Sequence, residues 1–165
     1  MSNPASERQR LAADPGQSTW LSANAGSGKT KVLTDRVARL LLSGTEPQRI
    51  LCLTYTKAAA AEMQNRLFRR LGEWAMLDEE RLIAALLDLG LTEAPGPETI
   101  RAARRLFARA IETPGGLKIQ TIHSFCASLL RRFPLEARVS PSLVEMDDRS
   151  AELLRAEMIE EMAGQ

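Results

Sequence analysis

The sequence predicts an α/β fold with parallel strands and a helical insertion. Two apolar runs, residues 50–55 and 117–122, have the length and composition of strands, and residues 18–22 form a shorter β-prone run. Helical apolar spacing follows each run, and strands that alternate with helices form parallel βαβ units. Residues 50–55 are almost continuously apolar, which predicts a strand buried on both faces of its sheet.

The helices have recognisable ends. Ser43 and Gly44 are suited to end the first long helix, and Thr56 is a suitable N-cap for the helix after the second strand. The apolar stripe of that helix consists of Ala59, Met63, Leu67 and Leu71. Helices are also predicted at residues 7–13, 82–89, 98–111, 123–133 and 148–162, and Gly90 is suited to end the second of these. A short strand is a candidate at residues 143–144.

Bulk composition indicates a globular protein. Hydrophobic residues make up 44% of the 165 residues and charged residues 26%, with a net charge of +1. The two cysteines indicate no disulfide framework, and Cys52 lies in an apolar run as a small core residue would. No apolar run is long enough to cross a bilayer, and the polar N-terminus does not resemble a signal peptide. We expect no membrane partner and a cytoplasmic location.

A glycine-bearing segment lies between the first predicted strand and the first long helix. It reads Ala-Asn-Ala-Gly-Ser-Gly-Lys-Thr, a phosphate-binding pattern that begins with alanine instead of glycine. Glycines let the backbone wrap around a triphosphate, and the following helix presents its positive dipole end to the anion. The candidate ATP-binding residues are Ala23, Asn24, Ala25, Gly26, Ser27, Gly28, Lys29 and Thr30.

Two of these residues carry the expected catalytic chemistry. Lys29 would reach the β- and γ-phosphates, and the Thr30 hydroxyl would bind Mg²⁺. The alternative is a Gly-Ser-Gly turn that precedes a lysine by coincidence. The predicted strand and helix on either side favour the nucleotide site, so we predict ATP and Mg²⁺ as cofactors.

Three further features resemble the UvrD/Rep-like superfamily 1 DNA helicases. Residues 54–66 read Thr-Tyr-Thr-Lys-Ala-Ala-Ala-Ala-Glu-Met-Gln-Asn-Arg and are similar to motif Ia of that family. Residues 120–126, Gln-Thr-Ile-His-Ser-Phe-Cys, resemble its motif Ib. Gln9 lies where the family has an adenine-reading glutamine, and the family's phosphate-binding loop begins with alanine, as Ala23 does here.

The resemblance implies a partial RecA-like P-loop NTPase domain within an ATP-dependent 3′–5′ DNA helicase. Its partners would be single-stranded DNA or duplex ends. The implied DNA contacts are Thr54, Tyr55, Thr56, Thr121, His123 and Ser124, and Gln9 would contact the nucleotide. Within the family the chain looks most like the A subunits of bacterial AddAB helicase–nucleases. That likeness implies double-strand break repair and recombination, together with a partner that is a second helicase–nuclease subunit.

The resemblance also predicts a domain organisation. Residues 1–133 would form the partial ATP-binding lobe, with the helical insertion at about residues 72–113, and residues 134–165 would begin a helical subdomain. Residues 144–148 are the only candidate for the acidic pair that hydrolysis needs, and we interpret Asp147 and Asp148 as a helix N-cap. We therefore expect an N-terminal piece of a longer helicase, without the Walker B element or second motor lobe. Alone, it would hydrolyse ATP negligibly.

Simpler explanations exist for several of these residues. Tyr55 could plug the end of the sheet, and His123 could cap or brace its helix. A row of arginines could follow a DNA backbone or form a solvated face balanced by Glu98 and Glu112. This row consists of Arg101, Arg104, Arg105 and Arg109. For the whole chain, the alternatives are a P-loop kinase or other NTPase without a nucleic-acid role, and a non-catalytic binding module.

Overall fold

The computed structural model describes residues 4–22, 28–144 and 146–163. Its elements form two compact units, residues 1–121 and 122–165. In the first unit they are α1 (Pro4–Ala12), α2 (Lys29–Leu42), a 3₁₀ turn (Pro47–Arg49), β1 (Leu51–Thr54), α3 (Lys57–Met76), α4 (Glu79–Leu89), α5 (Pro97–Glu112) and β2 (Lys118–Thr121). In the second they are α6 (Ile122–Arg132) and α7 (Asp148–Ala163). No helix of the described residues combines the length and apolar character needed to span a bilayer.

The two strands form a parallel sheet, as predicted. Leu51 is paired with Lys118, and the register continues to Thr54, which is paired with Thr121. Parallel strands require a crossover connection, which here consists of α3, α4 and α5. The carboxyl ends of both strands therefore meet at one edge of the sheet.

One expectation about β1 is wrong. Leu51 and Leu53 are 42% and 44% exposed, so only one face of the strand is covered. Alternation of exposed and half-buried residues along β1 shows that its other face, with Cys52, lies against the helices. The apolar run suggested two buried faces, but in the described part of the chain no layer covers the Leu51 face. Burial raises the pKa of the Cys52 thiol, consistent with its prediction as a small core residue.

Two other predicted strands do not form. Residues 18–22 and 143–144 have no regular structure, and Trp20 in the first segment is 93% exposed. A strand needs a neighbour for its N–H and C=O groups, and neither segment joins the β1–β2 ladder. Residues 143–144 instead follow a turn in which the Leu143 N–H donates to the Ser140 carbonyl over 3.0 Å.

The core of the first unit is mainly helical. Helix α3 packs against α5 and α2, and it also covers the buried face of the sheet. The side chains of Leu67, Leu71 and Leu82 are fully buried there, and Phe68 meets Phe107 edge to face at 6.3 Å between centroids. The predicted stripe of α3 is correct except at its start, because Ala60 is buried and Ala59 is exposed.

Glycines end two helices, as expected. After α2, Gly44 has φ +90°, and the N–H of Thr45 donates to the carbonyl of Leu40 over 3.0 Å, which completes a Schellman motif. After α4, Gly90 has φ +107°. The guanidinium of Arg39 on α2 donates from Nε to the Leu89 carbonyl at 2.7 Å, so it ties α2 to the C-terminus of α4. Burial lowers the pKa of Arg39.

We predict that Gly90→Ala lowers the free energy of unfolding by about 3 kcal/mol in urea denaturation. An added Cβ would lie 1.9 Å from Arg39 Nη2, so the guanidinium would have to leave the Leu89 carbonyl. Alanine would also have to adopt the left-handed backbone conformation of Gly90. Gly44→Ala is the matched control, because its φ is similar and no atom lies within 4 Å of its Cβ position. The control should cost about 1 kcal/mol. If the two variants lost the same free energy of unfolding, the Arg39 contact would contribute nothing to stability.

Candidate nucleotide and nucleic-acid site

The start of α2 has the features of an anion-binding helix N-terminus. Gly28 is the N-cap, with φ +89°, and Lys29 and Thr30 form the first turn of a 14-residue helix. Among the described residues no side chain caps this end, and the first turn of the helix contains no acidic residue. The rest of the predicted phosphate-binding loop, Ala23, Asn24, Ala25, Gly26 and Ser27, lies outside the described residues.

Gln9 lies directly beside this helix start. A Cβ on Gly28 would be 2.7 Å from Gln9 Nε2, so the glutamine amide occupies space that any other residue at position 28 would claim. The amide and the helix N-terminus are therefore in contact distance, although they are far apart in sequence. Because an amide offers both a donor and an acceptor, Gln9 can hydrogen-bond a nucleobase edge. The arrangement fits a nucleoside triphosphate whose phosphates lie at Lys29 and Thr30.

The segment that leads into the loop is held by a side chain of α2, and α1 is held by a contact with α4. Arg36 of α2 donates to the Gln17 carbonyl over 2.6 Å and also to the carbonyl of Asp14. Arg10 of α1 donates to Asp88 Oδ1 over 3.0 Å. These contacts place α1, and with it Gln9, against the start of α2 without a strand at residues 18–22. Sequence reasoning missed Arg36, because no motif marks a guanidinium that binds backbone carbonyls.

Tyr55 is presented to solvent at the carboxyl end of β1. Its side chain is 89% exposed, so it does not plug the sheet. The Thr54 hydroxyl donates to the Thr56 carbonyl over 3.0 Å and so bridges the residue that carries the ring. The Thr56 hydroxyl accepts from the Ala59 N–H over 3.1 Å, which confirms its predicted role as the N-cap of α3. The ring is thus held out from a short, hydrogen-bonded turn.

The start of α3 is open beside this ring. Lys57, Ala58 and Ala59 are exposed, and the first turn contains no acidic residue. Small side chains and a positive helix end suit the approach of a phosphate group. The exposed ring and the helix start therefore provide the two kinds of contact that a single strand requires, stacking and phosphate binding.

The segment that resembles motif Ib begins at the same edge. Thr121 is the last residue of β2, it is paired with Thr54, and it is buried. His123 and Ser124 lie in the first turn of α6, in the second unit, where His123 is exposed and Ser124 is half-buried. The structure therefore brings Thr54, Tyr55, Thr56 and Thr121 together at one sheet edge. The roles of His123 and Ser124 stay a prediction from the motif.

The arginine row on α5 has mostly structural partners. Arg101 pairs with Glu98, Arg104 donates to the Ala75 carbonyl over 3.5 Å, and Arg109 donates to the Gly44 carbonyl over 3.3 Å. The last two contacts place cations at the C-terminal ends of α3 and α2, where the helix dipole favours them. Arg105 is exposed. These contacts favour the structural explanation of the row over DNA binding.

The acidic segment before α7 serves as a cap. Asp147 Oδ1 accepts from the Ser150 N–H over 2.8 Å, which confirms Asp147 as part of the predicted N-cap. The backbone and hydroxyl hydrogen bonds from Ser150 lower the pKa of Asp147.

Comparison with known proteins gives the family. Residues 4–164 match the UvrD/REP helicase N-terminal domain, so the chain belongs to that family, as its motifs indicated. Among curated relatives named as the A subunit of an ATP-dependent helicase/nuclease, the protein of Lactobacillus gasseri is 32% identical over 98% of this chain. Those of Desulforudis audaxviator and Enterococcus faecalis are 36% and 34% identical over 86% and 87% of it. The alignments cover 12%, 10% and 10% of the respective relatives, so the chain spans about a tenth of their length. These relatives confirm the expectation that, within the family, the chain is similar to the A subunits of helicase–nucleases.

We predict that Thr56→Ala lowers the free energy of unfolding by about 1 kcal/mol, because the Ala59 N–H loses its acceptor. Thr56→Ser keeps the hydroxyl and should change stability by less than about 0.5 kcal/mol. Urea denaturation of both variants measures the difference. A serine variant as unstable as the alanine variant would show that the methyl group, and not the cap, stabilises this turn.

Proposed function

We propose that this chain is the ATP-binding and DNA-contacting N-terminal part of an ATP-dependent 3′–5′ DNA helicase, built as a partial RecA-like P-loop lobe. The observation that carries the proposal is the parallel register of Thr54 and Thr121 beside the exposed ring of Tyr55. In α/β proteins the carboxyl ends of strands are the usual binding edge. The family and the helicase/nuclease relatives support the same assignment.

The nucleotide half of the proposal rests on the start of α2. Lys29 and Thr30 would hold the phosphates and a Mg²⁺ ion, with Ala23 to Gly28 as the cradle and Gln9 at the base. The placement of Gln9 at Gly28 and the first turn of α2, which contains no acidic residue, support this assignment. Bound ATP supplies a phosphoanhydride whose cleavage can drive movement. With Asp147 committed to capping, we expect negligible hydrolysis by this chain alone.

The DNA half places a single strand along the carboxyl edge of the sheet. Tyr55 would stack on a base, while Thr54, Thr56 and the N-terminus of α3 would meet phosphate oxygens. Thr121, His123 and Ser124 would extend the contact at the second strand end. By likeness to the helicase/nuclease relatives, the whole protein would act at duplex ends in double-strand break repair. It would work in the cytoplasm with a second helicase–nuclease subunit.

We predict that Lys29→Ala weakens binding of a fluorescent ATP analogue with Mg²⁺ at least tenfold, because the variant has no charge-assisted hydrogen bond to phosphate. Equilibrium fluorescence titration measures the dissociation constant. The matched control is Lys31→Ala, two residues further along α2, where the ammonium is paired with Asp35 at 2.8 Å. The control should stay within about twofold. Equal weakening in both variants would contradict a phosphate contact at Lys29.

We predict that Tyr55→Ala weakens binding of a short single-stranded oligonucleotide about tenfold, because base stacking on an aromatic ring contributes about 1–3 kcal/mol. Fluorescence anisotropy at several salt concentrations measures the affinity. Tyr55→Phe should bind like the parent chain. Trp20→Ala, which removes another highly exposed ring, should bind within about twofold of it. Unchanged binding by Tyr55→Ala would favour a P-loop NTPase or scaffold without a nucleic-acid role.

A further inference from the structure

A basic cleft of about 460 Å³ lies between α2 and α3, and the proposed function does not use it. On α3, its residues follow helical spacing at i, i+3, i+4 and i+7 and so share one face. Lys31 and Thr34 of α2 form the opposite wall. The complete lining is Lys31, Thr34, Arg66, Arg69, Arg70 and Glu73. Four cations and one carboxylate therefore face the same space.

Two of the four cations in the cleft are paired with a buried carboxylate. Asp35, whose side chain is only 6% exposed, pairs with Lys31 at 2.8 Å and also with Arg70. One carboxylate cannot neutralise two cations, so a positive charge remains at this position. A buried carboxylate that binds both helices also keeps the two cations from dispersing into solvent. The cleft is thus an ordered part of the α2–α3 contact.

The outer arginines are available to a ligand. Arg66 pairs with Glu62 at 2.6 Å, but both side chains are about half exposed, and such pairs exchange partners at little cost. Arg69 is exposed and forms no ion pair with a carboxylate of the described residues. Guanidinium groups bind phosphate through two parallel hydrogen bonds. Arg66 and Arg69 therefore provide two phosphate-binding groups at the mouth.

We propose that this cleft binds the phosphate backbone of duplex DNA, as a contact separate from the strand-holding edge of the sheet. This inference rests on the proposed function, which makes DNA the ligand. The binding site on α2 and α3 is a new assignment. None of the described residues that line the cleft is aromatic, and Trp74, one turn from Arg70 on α3, is buried. A single strand needs stacking surfaces, whereas duplex backbone binding needs only cations and polar groups. The lining therefore fits duplex better than single strand.

The dimensions agree with a short backbone contact. Arg66 and Arg69 are about 4.5 Å apart along the helix axis, close to the axial spacing of about 3.4 Å between successive phosphates of one strand. Arg66 lies nine residues after Lys57, about 14 Å along α3 from the helix start. Duplex DNA in the cleft would therefore be held beside α3 at a distance from the Tyr55 ring.

The test uses the 165-residue chain and a fluorescein-labelled 20-base-pair blunt duplex, with anisotropy titrations across a range of salt concentrations. Arg66→Gln/Arg69→Gln should weaken duplex binding roughly tenfold at low salt. It should also reduce the slope of log affinity against log salt by about two, because each arginine neutralises one phosphate. The matched control is Arg101→Gln/Arg105→Gln on α5, which removes the same charge and should change affinity less than about twofold. Circular dichroism and urea midpoints verify folding, and Arg69→Gln alone should reduce the slope by about one.

Two results would overturn the proposal. Equal weakening in the cleft and control variants would mean that net charge alone attracts the duplex. Displacement of the duplex by inorganic triphosphate at matched charge concentration would mean that the cleft holds a small polyanion. A different result would contradict the proposed function, namely unchanged single-strand binding by Tyr55→Ala. That variant should leave the salt slope of duplex binding unchanged.

Discussion

Parallel pairing of β1 with β2 determines where the two motif segments meet. It places Thr54 opposite Thr121, so two motifs separated by three helices end at the same edge. Two strands alone form a marginal sheet, and this pair persists because α3 covers one face and packs against α5. The helical core therefore keeps the strand ends, and the Tyr55 turn that follows them, in a fixed arrangement.

Polar side chains, more than strand pairing, position α1 and the lead-in segment against α2. Arg36 binds the backbone at Asp14 and Gln17, and Gln9 fits against Gly28. Asp35 then joins α2 to α3 through two cations, one from each helix. The start of α2 is consequently tied both to the lead-in segment and to the helix that follows Tyr55. In the proposed function, this connection would transmit closure on a nucleotide to the edge where DNA is bound.

Features that depend on neighbouring residues in the sequence could be predicted, whereas features that depend on distant residues could not. The caps at Thr56 and Asp147 and the glycine ends at Gly44 and Gly90 follow from short-range chemistry, and all were found. The strand at residues 18–22 and full burial of β1 required neighbours that an apolar pattern cannot supply. The contact of Arg39 with the Leu89 carbonyl joins residues far apart in the sequence, and no local pattern marks it. The cleft of Arg66 and Arg69 is marked only by the helical spacing of its residues on α3. The motif resemblance located the candidate site because its residues cluster at strand and helix ends.

Photocrosslinking tests most directly whether DNA lies along the edge that β1 and β2 share. A single-stranded oligonucleotide with 4-thiothymidine at successive positions would be bound to the chain, irradiated, and the linked peptides identified by mass spectrometry. We predict adducts on both the Tyr55 peptide and the peptide that contains Thr121, at oligonucleotide positions within a few bases of each other. Adducts confined to the helix faces, with neither strand end labelled, would contradict it.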